Sequence, residues 1–241
     1  MRRSLTLAVF LLLGCGAVQA QDEEPRQIAI NAVKNPEMRS YRAIWKGLDE
    51  FDNQHALAPS APALRFRVIT RGTAGKADEP LQARIASDER SAMIPIEADG
   101  RFTVPRDQVA YDARADLLLN RKKGSFRILP DVRSAGLPDD VRRLGDLRLE
   151  CKVMVAVAKE EAPLWVVALV NSILLTGDWC SRLGENGNMS YKFPGPLRSA
   201  VLTDGVRTQP LEVHGSEYRV PVGANDWPDD ALIRLEHAPQ P

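Results

Sequence analysis

Leu147-Arg148-Leu149-Glu150-Cys151-Lys152-Val153-Met154-Val155-Ala156-Val157 is the most regular stretch of the chain. Leu147, Leu149, Cys151, Val153, Val155 and Val157 fall on one side of a two-residue alternation; Arg148, Glu150, Lys152 and Met154 fall on the other. A period of two is the signature of a half-buried strand. The stretch therefore predicts a long strand with Cys151 turned into a core, and it makes the second half of the chain a β-rich lobe.

C-terminal to it, Glu160-Glu161-Ala162-Pro163 sets acids and a proline where a helix start favours them. Leu164 to Leu175 is apolar almost all round, which predicts a buried helix near 163–175. Gly177 is placed to end it in the left-handed conformation. At about 1.5 Å per residue the helix reaches roughly 18 Å, short of a bilayer core of about 30 Å. Tyr191–Phe193, Ser199–Leu202, Leu211–Val213, Tyr218–Val222 and Ala231–Leu235 are strand candidates. Asp204-Gly205, Gly215-Ser216 and Pro228-Asp229-Asp230 supply turns between them.

On the N-terminal side, Asn35-Pro36-Glu37 reads as a cap, a first helical proline and a first-turn acid. Met38, Tyr41, Ile44, Trp45, Leu48 and Phe51 follow at steps of three and four, the stripe of an amphipathic helix. It ends before the stiff connector Ala58-Pro59-Ser60-Ala61-Pro62. From Leu64 the period becomes two, with Leu64, Phe66 and Val68 alternating with Arg65 and Arg67. Leu81 to Ile85 repeats the pattern. Ile94 and Ile96 flank Asp99-Gly100 with Phe102 and Val104, a hairpin signal. Leu117–Leu119 and Phe126–Ile128 flank a second such turn, and short strands at this spacing suggest a β-sandwich.

The fold class that follows is mainly β (α+β). Residues 1–20 form a signal peptide, and 21–62 a segment ending in the amphipathic helix. Residues 63–145 form a β-sandwich-like lobe, and 146–241 a second β-rich lobe with one buried helix.

The signal peptide rests on Met1-Arg2-Arg3, the apolar run Leu5 to Leu13, and Val18-Gln19-Ala20 before Gln21. Leu12-Leu13-Gly14-Cys15 resembles a lipobox, and cleavage there would leave an acylated Cys15 as a membrane anchor. Both cuts stay open. Without the leader the chain has 30 basic and 32 acidic side chains, a net charge of −2. That balance argues against bulk nucleic-acid binding, which needs a basic surface. Cys151 and Cys180 are then an even pair in an oxidising compartment, where one disulfide is the default. Their spacing from each other and from His55, His214 and His237 does not match a metal site.

No stretch reads as catalytic, cofactor-binding or metal-ligating. Asp49, Asp52 and His55 spread over about 120° of helix, which suits a solvated face. His214 and His237 have no nucleophile elbow to serve. Asp226, Asp229 and Asp230 lack EF-hand spacing. Arg121-Lys122-Lys123 forms a basic turn suited to a partner contact. Trp45 and Trp165 lie on faces predicted to be buried, whereas Trp227, in a turn, is the candidate exposed contact.

Glu79-Pro80-Leu81 through Asp99-Gly100-Arg101-Phe102-Thr103-Val104-Pro105 resembles the middle of carboxypeptidase regulatory-like, or transthyretin-like, β-sandwich domains. The segments 117–124 and 143–151 resemble uncharacterised exported proteobacterial proteins, which implies a Gram-negative periplasm and brings no activity. The expectation is a non-catalytic exported cell-envelope protein that binds an envelope protein or glycan. Any membrane attachment would come only from a lipid anchor at Cys15, if the chain is cut there. The alternatives are a periplasmic hydrolase with its groups scattered among loops and a structural envelope-assembly lipoprotein, the latter favoured by an exposed edge strand or apolar patch.

Overall fold

The computed structural model describes residues 33–71, 79–182 and 188–239. The signal peptide expected at 1–20 and Cys15 lie outside them. Among the described residues the first element is a strand, β1 (Pro36–Ser40), and the amphipathic helix α1 (Tyr41–Asn53) begins only after it. The predicted cap at Asn35 is thus wrong. Asn35 takes a left-handed φ of 59°, a conformation Asn tolerates. Pro36 opens an edge strand, where its missing N–H is harmless. The apolar stripe itself holds: Tyr41, Ile44, Leu48 and Phe51 are buried.

β2 (Arg65–Thr70), β3 (Ala83–Ala86), β4 (Ser91–Ile94), β5 (Arg101–Phe102), the short helix α2 (Gln108–Asp112), β6 (Asp116–Lys122) and β7 (Phe126–Asp131) complete the first lobe. They form two antiparallel sheets, in the orders β1-β6-β3-β4 and β5-β2-β7, whose buried residues share one core with α1. Both expected hairpins are instead crossings between these sheets. The Asp99-Gly100 turn leads from β4, paired with β3, to β5, paired with β2. The turn after Lys122 leads from β6 to β7 in the other sheet. Turn chemistry fixes the reversal but not the partner. Gly100 has φ +82° and packs where a Cβ would lie 3.1 Å from Val68 O, so the turn is pressed against β2.

After β8 (Val141–Arg143), residues 147–157 form the middle of an 18-residue helix, α3 (Leu144–Glu161), not a strand. The reason is burial on several sides. Leu144 and Leu147 enter the core of the second lobe, and Leu149 and Val153 that of the first. Cys151 and Val155 enter a third cluster with Trp179 and Cys180. A helix threaded between three apolar clusters needs apolar residues around its girth, and an alternating sequence supplies them as well as a helical one would. Leu, Arg, Glu, Lys, Met and Ala are also good helix formers.

α4 (Leu164–Leu174) occurs where it was expected, but none of its residues is buried. It stops at Leu175, which takes the left-handed conformation with φ 54° assigned in advance to Gly177. The buried helix is α3, which the two lobes share. β9 (Met189–Lys192), β10 (Leu197–Thr203), β11 (Thr208–Pro210), β12 (Val213–His214), β13 (Glu217–Val220) and β14 (Leu232–His237) complete the lobe. They give the antiparallel orders β11-β10-β14-β8 and β12-β13-β9. The turns at Asp204-Gly205 and Gly215-Ser216 are true hairpins.

Candidate functional site

Two features stand out: the outer face of α4 and a cavity beside α3. α4 is held from below. Cys151 of α3 is bonded to Cys180, in the 3-10 turn Trp179–Ser181 after α4, with Cα atoms 5.9 Å apart. Val167, Val170 and Leu174 pack against that bridge. Facing away, Leu164 (87%), Trp165 (69%), Leu169 (51%), Ile173 (69%) and Leu175 (89%) are exposed. The two polar side chains of the helix are engaged within it or beneath it. Asn171 Oδ1 accepts from Trp179 Nε1 at 2.7 Å, and Ser172 Oγ donates to Ala168 O at 2.9 Å. The outer face therefore presents almost no free polar group. Contiguous exposed apolar faces of this kind mark interaction surfaces on soluble proteins.

The residues of that face are ordered. Trp165, Leu169 and Ile173 form one ridge at four-residue steps. Beside it Leu164, Ala168 and Ser172 form a row with a low, small-residue floor. Leu164–Ser181 is apolar enough and, at 18 residues, long enough to count as a candidate membrane span. The helix itself covers only 11 of them, about 16 Å.

The cavity, about 460 Å³, lies where the outer face of β2 and β7 meets α3 and β9. The side chains of β2 alternate, so Phe66 and Val68 enter the first core while Arg67 and Ile69 line the cavity. Arg127, Leu129 and Asp131 of β7 join them. α3 contributes Glu150, Cys151 and Met154; β9 contributes Met189, Ser190, Tyr191 and Lys192.

A buried charge network closes one side. Arg142 Nη2 donates to Glu150 Oε1 at 2.6 Å and to Val132 O at 3.0 Å, and Val132 N donates to Glu150 Oε1 at 2.8 Å. Arg101 Nε donates to Asp131 Oδ2 at 2.8 Å. Burial lifts the Glu150 carboxyl to about 7 against the pull of Arg142, and the Asp131 carboxylate adds to the rise. Burial also pushes Asp131 up, but Arg142, Arg133, Arg101 and Arg67 outweigh it and hold Asp131 below the usual range. Arg142 Nε is buried without a hydrogen-bond partner.

The residues singled out in the sequence lie elsewhere. Trp227 is buried in the second core, not exposed, with the Arg207 guanidinium 3.8 Å above its ring. A turn residue is buried here because the loop 221–230 folds over the sheet and is clamped by Arg148, which donates to Val222 O and Trp227 O at 3.1 Å each. Trp165, expected in the core, is the exposed tryptophan. Arg121 is half-buried and donates to the Asn120 and Glu79 carbonyls; Lys122 and Lys123 are exposed. Asp49 and Asp52 both accept from Arg106, at 2.8 and 2.5 Å. His214 Nε2 lies 2.6 Å from Glu212 Oε1, but both side chains are at least half exposed and neither lines the cavity. The disulfide pair is as expected. Glu150 and Arg142 were missed: Glu150 reads as the solvent face of a strand, and the stretch 130–144 around Arg142 shows neither a two-residue nor a 3.6-residue period. No family model, curated protein or solved structure matches the chain.

Proposed function

We propose that this is a non-catalytic, exported cell-envelope protein acting as an interaction module. Its docking surface is the outer face of α4, and the occupant is α4 of a second copy. One observation carries the reading: a helix whose outward face is apolar, exposed and stripped of free polar groups, braced by a disulfide. A lone soluble domain gains nothing from such a face.

Shape favours a second copy. The Trp165–Leu169–Ile173 ridge fits the shallow row over Ala168 and Ser172. Two α4 helices crossed at about −50° therefore seat each ridge in the other's groove, an isologous contact. A bilayer would need neither ridge nor groove, and 11 residues do not span it. The leader at 1–20 and the Cys151–Cys180 bridge support export, since such bonds persist in oxidising compartments. The exposed patch also favours envelope assembly over hydrolysis. The His214–Glu212 pair lies away from the cavity and does not support a hydrolytic site.

Photocrosslinking from a benzophenone amino acid at position 165, in the envelope of the native host, tests the occupant. An adduct of twice the chain's mass is expected. An adduct with lipid or with a different protein overturns the second copy as occupant.

A further inference from the structure

We propose that the cavity beside α3 binds a small organic anion with an apolar body, its carboxylate held by Arg67 and Arg127. The site is separate from α4 and does not rest on its docking role.

The register of β2 and β7 builds the recognition surface. Arg67 stands opposite Leu129, and Ile69 opposite Arg127. All four side chains line the cavity, so two guanidiniums and two apolar side chains alternate as a checkerboard. Diagonal neighbours of this kind are about 7–8 Å apart at Cα, within the reach of two arginines converging on one oxyanion. Met154 and Met189 on the far wall offer adaptable apolar surface for the ligand's body. The volume of about 460 Å³ falls within the range of small-molecule sites.

The walls carry more cations than carboxylates: Arg67, Arg71, Arg127, Arg142 and Lys192 against Asp131, Glu150 and Glu217. Asp131 is engaged by Arg101, and Glu150 by Arg142. Glu217 stands opposite Lys192 in the β13–β9 register. Among the described residues no carboxylate pairs with Arg67 or Arg127. Arg67 has only a long 3.4 Å bond to Lys192 O. Arg142, also on the wall, adds a buried Nε without a partner. An excess of cations around a concave, partly apolar space is the complement of an amphipathic anion.

Calorimetric titration of the oxidised chain with octanoate, and with uncharged octanamide as control, tests this. Octanoate is expected to bind at least about tenfold more tightly than octanamide. Arg67→Ala/Arg127→Ala is expected to abolish that preference, and Arg127→Ala alone, a surface change, to reduce it. Leu169→Lys on α4 leaves octanoate binding unchanged, which excludes the apolar helix as the seat. The proposal is overturned if octanamide binds equally well, if neither arginine variant alters octanoate binding, or if octanoate gives no binding at about 5 mM.

Discussion

Cys151, in the middle of α3, and Cys180, just past α4, are joined by a disulfide that fastens the exposed helix to the most buried one. The bridge closes a loop with a sequence separation of 29. In the chain-entropy model such a loop contributes about 3–4 kcal/mol. Cys151→Ala/Cys180→Ala is expected to lower the melting temperature by roughly 6–16 °C. Hydrogen exchange should show α4 losing protection before α3. Equal melting of oxidised and reduced protein would remove the bridge from the account of how α4 is held.

Glu150 makes stability depend on pH in a definite direction. Its folded value of about 7 lies above the ordinary 4.5, so between those values the native state binds more protons than the unfolded chain. This contribution is fully present below about 4.5 and is lost as pH rises through 7. Urea unfolding at pH 5 and pH 8 should show the protein less stable at the higher pH, by up to about 3 kcal/mol. Glu150→Gln should flatten that dependence while lowering stability at both values. An unchanged slope in the variant would show that another group titrates there.

Gly145 sits at the start of α3 where three segments meet. Its N–H donates to Asp229 O at 2.8 Å, and a Cβ on it would overlap Leu57 O and lie 3.0 Å from Asp229 O. Both obstacles are backbone, so neither can swing aside. Gly145→Ala should cost about 3 kcal/mol or more, or prevent folding. Gly177→Ala, with nothing within 4 Å of its Cβ, should be close to neutral. Thermal melts of the two variants decide whether α3 is pinned at this point.

The sequence made the β-rich class legible because β2, β3, β10, β13 and β14 each bury alternate residues against one core. It misled at Leu147–Val157, since alternation marks a strand only when burial is one-sided, and α3 is packed on several sides. The same limit hid the cavity. Arg67 reads as an outward residue of a half-buried strand, and nothing local shows that α3 and β9 cover that face. α4 failed in the opposite sense. Its uniform apolarity implied burial within the chain, whereas one face is turned to solvent. Trp165 and Trp227 exchanged roles for that reason: apolarity reports a need for cover, not where the cover comes from.

The proposed leader at 1–20 makes a prediction of its own. The intact mass of protein from the host envelope should correspond to a chain starting at Gln21, or to one starting at an acylated Cys15. The second result would make it a membrane-held lipoprotein. A mass that retains Leu5–Leu13 would contradict export by cleavage.

Sedimentation velocity of the oxidised chain from Gln21 onward is the most direct test of the docking surface. The account predicts a dimer at micromolar concentration and a folded monomer for Leu169→Lys, whose charge falls at the centre of the Trp165–Leu169–Ile173 ridge. A wild-type chain that remains monomeric at about 100 μM, or a Leu169→Lys variant that still dimerises, would contradict it.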